Sequence, residues 1–347
     1  MPQLWSETEA ADMAACRVLL RGGSKSFDVA SRLLPKSVCD PAVALYAFCR
    51  VADDAIDQGG GGGSLQWLRE RLALAYDGRP LPLATDRAFA RIVDRFAIPR
   101  ALPEALLEGF AWDAEGRRYQ TLSALHGYAV RVAGTVGAMM AVLMGVRDAE
   151  RLAAAIDLGV AMQLSNIARD VGDDARNGRL YLPLDWLLEA GIDPDGFLAA
   201  PRHSPALGRV IRRLLTTADQ YYRRAGAGIA RLPLACRLGI GAARLLYAEI
   251  GQEVSRRGLD AISERAVVSG RRKAWVLATG LSGILLPLRP LSTASVPEGA
   301  FLVEAVVQMT PHAGFSDAAA PWWDLVERLR WTIDLFERME QRERIRT

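Results

Sequence analysis

Two stripes of polar side chains occur at helical spacing in segments that are otherwise apolar. The first lies in residues 42–57 and consists of Tyr46, Arg50, Asp53 and Asp57. The second lies in residues 150–176 and consists of Gln163, Asn166, Asp170 and Asp174. Side chains three, four, seven and eleven residues apart share one face of a helix. Because the other faces of each segment are apolar, we expect these polar faces to meet a bound group rather than bulk water.

The carboxylates in each stripe are spaced to bind a cation. Asp53 and Asp57, like Asp170 and Asp174, are four residues apart. At that spacing their Cβ atoms lie about 5–6 Å apart on a helix, and the two charges repel without a cation. Asn166 adds a neutral oxygen, and oxygen-only donors suit Mg²⁺ or Mn²⁺, which complete their shells with substrate phosphates. The pattern predicts a diphosphate substrate.

An arginine accompanies each pair of carboxylates. Arg50 precedes Asp53, and Arg169 precedes Asp170. A guanidinium binds phosphate oxygens in bidentate fashion, so both arginines are predicted to grip a diphosphate rather than to pair with the neighbouring aspartate. One such cluster alone is equally typical of a solvated helix face. Two clusters on apolar helices, more than a hundred residues apart, favour a site for divalent cations and a diphosphate.

Composition and charge exclude several classes of protein. Hydrophobic residues make up 50% and charged residues 24% of the 347-residue chain, which is enough for a large core and excludes a predominantly disordered protein. The net charge is only +3, so no nucleic-acid partner is expected. The four cysteines lack CxxC spacing and the N-terminal segment has no apolar signal core. Neither a zinc site nor a disulfide framework is predicted, and a cytoplasmic location is expected.

Helical spacing of Ala, Leu and Arg, with little β-branched alternation, predicts an all-α fold. Asp40 and Pro41 are predicted to be the N-cap and first residue of the helix that carries the first stripe. A second long helix is predicted over 150–176. Further helices are predicted at about 65–77, 83–96, 101–118, 123–145, 205–230, 235–257 and 263–285. The apolar stretch 275–288 is too short to span a bilayer, so any membrane contact is expected to be peripheral.

The composition of the chain suggests three parts. Residues 15–285 carry all the motifs and are predicted to form one catalytic domain. Residues 286–320 are rich in Pro, Ser, Gly and Ala and predict a loop or linker. Apolar residues at helical spacing in 321–347 predict a C-terminal amphipathic helix. Docking of this helix on the core and contact with a membrane surface are both open.

Six motifs, in order, resemble the squalene and phytoene synthase family. They are GGSKSF at 22–27, YAFCRVADDAID at 46–57, YAVRVAGTVG at 128–137, NIARDVGDDARNGRLYLP at 166–183, AARLLYAEIG at 242–251 and ERAVVSGRRK at 264–273. The resemblance covers about residues 15–285. It implies a single-domain helical bundle of the isoprenoid-synthase type with a central active-site cavity.

The resemblance also implies a reaction. Two molecules of geranylgeranyl diphosphate would condense head to head in the presence of Mg²⁺ or Mn²⁺. One molecule ionises and the double bond of the other attacks the cation to give prephytoene diphosphate. A second ionisation, with rearrangement and loss of a proton, then yields phytoene, in the first committed step of carotenoid biosynthesis. No NADPH is expected.

By resemblance, five residues would hold the metal ions, namely Asp53, Asp57, Asn166, Asp170 and Asp174. Substrate contacts are implied for Ser24, Lys25, Ser26, Tyr46, Arg50, Gln163, Arg169, Tyr247 and Arg265. The rings of Phe27 and Tyr128 are predicted to face the carbocation, and residues 132–145 to line a prenyl channel. A solvated loop position for Lys25, a core position for Tyr247 and a surface position for Arg265 are alternatives that stay open, as does plain core packing for residues 132–145.

Three other functions stay open. A head-to-head synthase of farnesyl diphosphate would make presqualene diphosphate, squalene or dehydrosqualene, and the sequence does not display the cavity floor that sets chain length. A chain-elongating prenyl synthase also carries DDxxD, but GSKSF and GRLYLP favour head-to-head synthesis. A non-catalytic assembly protein would be expected to lack metal ligands, and all of them are present. The oligomeric state is not predicted.

Overall fold

Helices form all the regular secondary structure in the part of the chain that the structure describes. The structure is a computed structural model and describes residues 7–58, 62–280 and 295–309. The helices are α1 (Glu7–Gly23), α2 (Lys25–Arg32), α3 (Lys36–Gln58), α4 (Gly62–Tyr76), α5 (Ala84–Phe96), α6 (Ala101–Ala114), α7 (Leu122–Ala129), α8 (Thr135–Leu143), α9 (Ala149–Arg176), α10 (Leu184–Glu189), α11 (Pro194–Ala199), α12 (Pro205–Ile229), α13 (Leu234–Arg256), α14 (Gly270–Gly280) and α15 (Ala300–Val307). A π-helical turn, Val130–Gly134, joins α7 to α8, and a 3₁₀ turn, Pro297–Gly299, precedes α15. The predicted all-α fold is confirmed.

Helix α9 lies against most of the helices that build the site. It is 28 residues long and begins after Asp148, whose side chain accepts a hydrogen bond from the backbone N–H of Arg151. It ends before Gly178, which takes a φ of +72° that favours glycine. Helices α8, α12 and α13 pack along it. The helix predicted at 150–176 is therefore confirmed, and its polar stripe faces neighbouring helices.

Glycines bring α9 and the segment before it to backbone contact distance. A Cβ on Gly159 would lie less than 3.0 Å from the carbonyl oxygen of Ala133. A Cβ on Gly137 would lie equally close to the carbonyl oxygen of Ala155. Because the neighbouring atoms are backbone, no side-chain rotation relieves either clash. The π-helical turn and α8 are thus held directly against α9.

Helix α3 begins earlier than predicted. It starts at Lys36 and contains Pro41 in its second turn, so Pro41 is not its first residue. Asp40 is buried and accepts a hydrogen bond from Arg17 of α1 at 2.5 Å, so its carboxylate joins two helices instead of capping one. A proline this close to a helix start removes only one backbone hydrogen bond. The predicted boundary is wrong, but the first polar stripe still lies on one helix.

Two further boundaries differ from the prediction. Helix α6 ends at Ala114 rather than 118, because Gly116 adopts a φ of +62° and turns the chain. Helix α14 begins at Gly270 rather than 263. Residues 263–269 therefore form a non-helical segment, and this segment carries Arg265 to the site described below.

Part of the predicted linker 286–320 belongs to the bundle. Residues 295–309 form the 3₁₀ turn and α15, which pack against α9. The buried carboxylate of Asp157 on α9 accepts a hydrogen bond from the backbone N–H of Val296 at 3.1 Å. This contact and the buried apolar side of α15 explain why the stretch is ordered, and they correct the linker prediction there. The rest of that segment and the helix predicted at 321–347 lie outside the described residues.

A buried carboxylate joins α1 to α5 and provides a test of the packing. Asp12 is 1% exposed and accepts hydrogen bonds from Arg87 at 2.5 Å and from Arg91 at 2.8 Å. We expect Asp12→Asn to lower the free energy of unfolding by about 2 kcal/mol, less than for a fully buried pair because both arginines are partly exposed. Urea denaturation measures this loss. The exposed Asp77→Asn variant, whose partner Arg79 is also exposed, should be unchanged.

The same substitution has an expected pH dependence. Burial alone would raise the pKa of Asp12, but hydrogen bonds from Arg87 and Arg91 outweigh burial and lower the pKa below its usual value. A carboxyl with a lowered folded-state pKa stabilises the fold above its unfolded pKa, and that contribution is lost as the pH falls. The stability difference between wild type and Asp12→Asn should therefore shrink below about pH 4. An undiminished difference at pH 3 would contradict the ion-pair explanation.

Candidate active site

A cavity of about 850 Å³ lies between α3, α8, α9, α12 and α13. Most of its polar lining comes from α3 and α9, and Ser24, Tyr247 and Arg265 complete it. Toward the start of α9 the lining becomes apolar, with Ala154, Ala155, Leu158 and Gly159 facing small and aliphatic side chains of α8, α12 and α13. The cavity thus joins a charged end to a long apolar channel.

Ten of the fifteen residues that the sequence singles out line this cavity. They are Ser24, Tyr46, Arg50, Asp53, Gln163, Asn166, Arg169, Asp170, Tyr247 and Arg265. They come from five separate segments of the chain, and the fold brings them to one end of the cavity. The side chains of Lys25, Ser26 and Asp57 lie outside the part of the structure that is described, so their roles stay predictions.

The structure does not bring Tyr128 to the cavity. Tyr128 is 3% exposed, and its hydroxyl donates a hydrogen bond to Asp113 of α6 at 2.8 Å. The hydroxyl of Tyr181 donates to the same carboxylate at 2.7 Å. The ring therefore faces a neighbouring aromatic cluster, and the predicted contact of Tyr128 with substrate has no support in this arrangement. Phe27, in contrast, lines the cavity.

Asp174 lies one helical turn beyond Asp170 and beside the cavity rather than in its wall. It contributes to a small neighbouring pocket together with Arg179 and Tyr181. Burial, together with the charge of Asp170, raises the pKa of Asp174 to about 7. At Asp174, the positive charge nearby is therefore too small to offset burial and the repulsion from Asp170.

Arginines neutralise the carboxylates that line the cavity. Arg169 binds Asp170 through two hydrogen bonds, of 2.7 and 2.5 Å, and Arg265 binds the same carboxylate at 2.7 and 3.2 Å. Burial alone would raise the pKa of Asp170, but hydrogen bonds from Arg169 and Arg265 outweigh burial and hold it below its usual range. On α3, Arg50 binds Asp54 at 2.7 Å.

These contacts show how the arginines pair when no substrate is bound. The two arginines were expected to be kept for phosphate oxygens, yet in this structure Arg169 pairs with Asp170, and Arg50 pairs with Asp54 and lies 3.6 Å from Asp53. A guanidinium next to a partly buried carboxylate forms short, charge-assisted hydrogen bonds when no stronger acceptor competes. The same guanidinium groups can exchange the carboxylate for a diphosphate.

The donor atoms around Asp170 fit a hard divalent cation. The Oδ1 atom of Asn166 is buried in the cavity wall and has no hydrogen-bond partner, although a buried amide oxygen ordinarily has one. A cation would satisfy this oxygen and relieve the repulsion between Asp170 and Asp174. Within the described ranges no three His, Cys, Asp or Glu side chains form a metal cluster by themselves. The residues therefore suit ions shared between protein carboxylates and a substrate diphosphate.

Tyr46 forms the wall opposite the start of α2. Its hydroxyl occupies the space that a side chain at Gly23 would need, because a Cβ there would clash with the phenol. The ring of Phe27 stacks on it with centroids 5.3 Å apart. Burial raises the pKa of Tyr46 to about 12, so the phenol is a neutral hydrogen-bond donor at neutral pH. Ser24 caps α2 by accepting a hydrogen bond from Phe27 N at 3.2 Å.

The sequence did not single out two residues that shape the cavity. Gly23 permits the position of Tyr46, and its role depends on a contact between two helices that spacing cannot show. Arg151 lines the end of the cavity farthest from the aspartates. Arg151 lies 12 residues before Gln163, which places it about 120° away from Gln163 around the helix, so the spacing of the stripe could not have found it.

The ion pairs of Asp170 with Arg169 and Arg265 predict how tightly the protein binds a metal ion when no substrate is present. We expect Arg265→Ala to tighten the binding of Mn²⁺ in the absence of substrate about threefold to fivefold, because one half-exposed guanidinium no longer competes for the carboxylate. Electron paramagnetic resonance of free and bound Mn²⁺ measures the affinity. Arg176→Ala, which removes an equal charge paired with Asp173, is the matched control and should change the affinity less. Weaker Mn²⁺ binding by Arg265→Ala would show that Arg265 orients Asp170 for the metal.

The family model described as squalene/phytoene synthase matches residues 20–272. The chain is 51% identical over 325 residues to a phytoene synthase of Cereibacter sphaeroides, covering 89% of this chain and 92% of that one. It is 53% identical over 311 residues to a phytoene synthase of Rhodobacter capsulatus, covering 87% and 92%.

Solved structures show the same fold. A crystal structure of a dehydrosqualene synthase in complex with ligand superposes with a TM-score of 0.74 at 29% identity, covering 80% of this chain and 97% of that chain. A squalene synthase from Alicyclobacillus acidocaldarius superposes with a TM-score of 0.68 at 25% identity, covering 73% and 97%. Among the described residues, no helix is long and apolar enough to cross a membrane.

Proposed function

The chain belongs to the squalene/phytoene synthase family, and from this membership we infer that it condenses two molecules of geranylgeranyl diphosphate head to head to give phytoene and diphosphate. The observation that carries the inference is the cavity itself. Carboxylate, amide and guanidinium groups at one end suit a metal-bound diphosphate, and the apolar channel beyond them suits a long prenyl chain. The activity named for relatives that are 51% and 53% identical supports geranylgeranyl diphosphate as the substrate.

In this proposal the two stripes hold the metal ions from two walls of the cavity. The ligands would be Asp53 and Asp57 on α3, and Asn166, Asp170 and Asp174 on α9. Bound Mg²⁺ would supply Lewis-acid chemistry, drawing charge onto the leaving diphosphate. Mn²⁺ is the alternative ion that the same oxygen donors suit.

The arginines at the charged end of the cavity change partners when substrate binds. Arg169 and Arg265 release Asp170 and bind phosphate oxygens, for which their planar forks are equally suited. Arg50 acts in the same way from α3, where Asp54 holds it in the substrate-free protein. The exchange keeps the number of charge-assisted hydrogen bonds nearly constant, so the site need not leave either a guanidinium or a diphosphate unpaired.

The channel protects the reaction from water. Its walls carry small and aliphatic side chains and three methionines, Met140, Met144 and Met162, which adapt to the shape of a prenyl chain. Such a wall offers no strong nucleophile to an allylic cation, which allows the double bond of the second substrate to attack first. Tyr46, as a neutral phenol, donates a hydrogen bond without becoming a base at neutral pH. Two successive ionisations in one cavity then lead through prephytoene diphosphate to phytoene.

The test uses purified full-length protein with Mg²⁺ and either the C20 or the C15 diphosphate, without NADPH, followed by mass spectrometry of the hydrocarbon product. We expect phytoene from the C20 substrate and no product in the presence of EDTA. Faster conversion of farnesyl diphosphate to presqualene diphosphate or dehydrosqualene would overturn the substrate assignment. Folded protein that consumes neither substrate would overturn the proposed reaction.

We also propose a cytoplasmic location, peripheral at the inner face of the membrane. The tail of the substrate and the hydrocarbon product are apolar, so a position at the bilayer surface would shorten their transfer. Flotation of the protein with liposomes, compared with and without added geranylgeranyl diphosphate, tests this proposal. Protein that stays at the bottom of the gradient in both cases would contradict it.

A further inference from the structure

The cavity follows helix α9 for most of its length. Among the α9 residues that line it, Asp170 stands nearest the charged end and Arg151 is the farthest from it. The two residues are 19 positions apart, which corresponds to about 28 Å at the helical rise of 1.5 Å per residue. Arg151 is thus a charged side chain at the apolar end of the channel.

Two apolar neighbours and a fixed guanidinium form this end of the cavity. Met144, directly after α8, and Leu232, which follows Arg231 between α12 and α13, also line the cavity. The Nε atom of Arg151 donates a hydrogen bond to Asp148 at 2.5 Å, and its Nη1 atom donates to the carbonyl oxygen of Arg231 at 3.4 Å. These contacts tie the start of α9 to the connection between α12 and α13.

Arg151 also reaches solvent, because its side chain is 35% exposed. Arg151 therefore borders both the cavity and solvent. The methylene groups of an arginine can line an apolar channel while its guanidinium stays hydrated and paired. A prenyl chain that pushed past this point would have to break the contacts with Asp148 and Arg231 and place hydrocarbon against an unpaired charge.

We propose that Arg151 is the floor of the prenyl channel and a specificity-determining residue that sets the longest chain the cavity accepts. The inference rests on the proposed function, since it concerns the tail of the same diphosphate substrate. Arg151 lies outside every motif of the sequence. The residues proposed to bind metal and diphosphate lie at the other end of the cavity and cannot set the length of the prenyl chain.

The test compares the C20 diphosphate with the C25 diphosphate as substrates of the purified full-length protein. We expect Arg151→Ala to raise the ratio of kcat/KM for C25 over C20 by about tenfold or more, because removing the floor admits one more isoprene unit. The capping hydrogen bond from Arg151 N to Asp148 uses the backbone and survives the substitution. Circular dichroism and thermal denaturation establish that the variant is folded.

Two further variants separate a floor from a purely structural role. Arg151→Lys keeps a positive charge and a stem of similar length, so its ratio should stay close to that of the wild type. Arg231→Ala removes a nearby guanidinium that pairs with Glu150 and does not line the cavity, so the ratio should not change. Wild-type protein that does not consume the C20 substrate would overturn the proposed function. Wild-type activity with an unchanged C25-to-C20 ratio in folded Arg151→Ala would overturn the assignment of Arg151 alone.

Discussion

Replacing Asp170 by asparagine is expected to lower turnover of geranylgeranyl diphosphate about a thousandfold at saturating Mg²⁺, a loss of about 4 kcal/mol in transition-state stabilisation. Asparagine fits the volume of aspartate but is a weak ligand for Mg²⁺. It also ends the ion pairs with Arg169 and Arg265, which are partly buried, so a loss of about 1 kcal/mol in the free energy of unfolding is expected beside the loss of turnover. Steady-state assays with both variant and wild type measure the effect.

The control for this prediction lies three residues along the same helix. Asp173 pairs with Arg176 at 2.6 Å and does not line the cavity, so Asp173→Asn should keep nearly full activity. Circular dichroism should show equal helix content in both variants. If Asp170→Asn retained more than a tenth of wild-type turnover, Asp170 would not be a metal ligand. Loss of folding instead of activity would mean that the ion pairs of Asp170 serve the structure.

Gly159→Ala is expected to lower the free energy of unfolding by about 3 kcal/mol and to reduce turnover strongly, although the change adds one methyl group. The new Cβ would lie less than 3.0 Å from the carbonyl oxygen and carbon of Ala133, which are backbone atoms. Accommodating it forces α9 away from the π-helical turn, and such overpacking typically costs 1–3 kcal/mol. Because both elements line the cavity, the shift also changes the distance between the walls of the channel.

A second glycine substitution separates the clash from the general effect of removing glycine from a helix. Gly208 lies in α12, and the nearest atom to a Cβ there is the Cβ of Leu259 at 3.6 Å, an ordinary contact. Gly208→Ala should therefore be neutral or stabilising by up to about 1 kcal/mol, through helix propensity. Chemical denaturation measures both variants. A Gly159→Ala protein as stable and active as wild type would show that α9 and the turn can separate freely.

Much of the fold could be predicted from periodicity. The long helix over 150–176 was predicted within one residue at its start, because its apolar spacing and the Asn177–Gly178 stop are local signals. The predicted start of α3 was wrong, because Asp40 is followed by a proline, as an N-cap residue often is, and yet its carboxylate pairs with Arg17 of another helix. The helix after Pro297 was missed for a similar reason, since its order comes from packing on α9 rather than from its own sequence.

In the candidate site, too, features of a single helix could be predicted and contacts between helices could not. The carboxylate stripes were predictable because side chains on one helix face must lie together whatever surrounds the helix. The position of Tyr128 was not, because its phenol turns to Asp113, a residue of another helix with no motif around it. Arg265 meets Asp170 across 95 positions of sequence, from a segment predicted to be helical.

The amino-acid sequence alone determined the helical class, the two polar stripes and the choice of hard oxygen ligands, since each follows from side-chain chemistry repeated at the period of a helix. The tertiary structure decided which charges face each other, which glycines must stay small and where the channel ends. Arg151 illustrates the difference: in the sequence it is one arginine among forty, and only the packing of α8, α9 and the connection after α12 places it at the end of the cavity. Contacts between helices depend on the sum of many weak interactions along the whole chain. The spacing of residues within one helix cannot predict that sum.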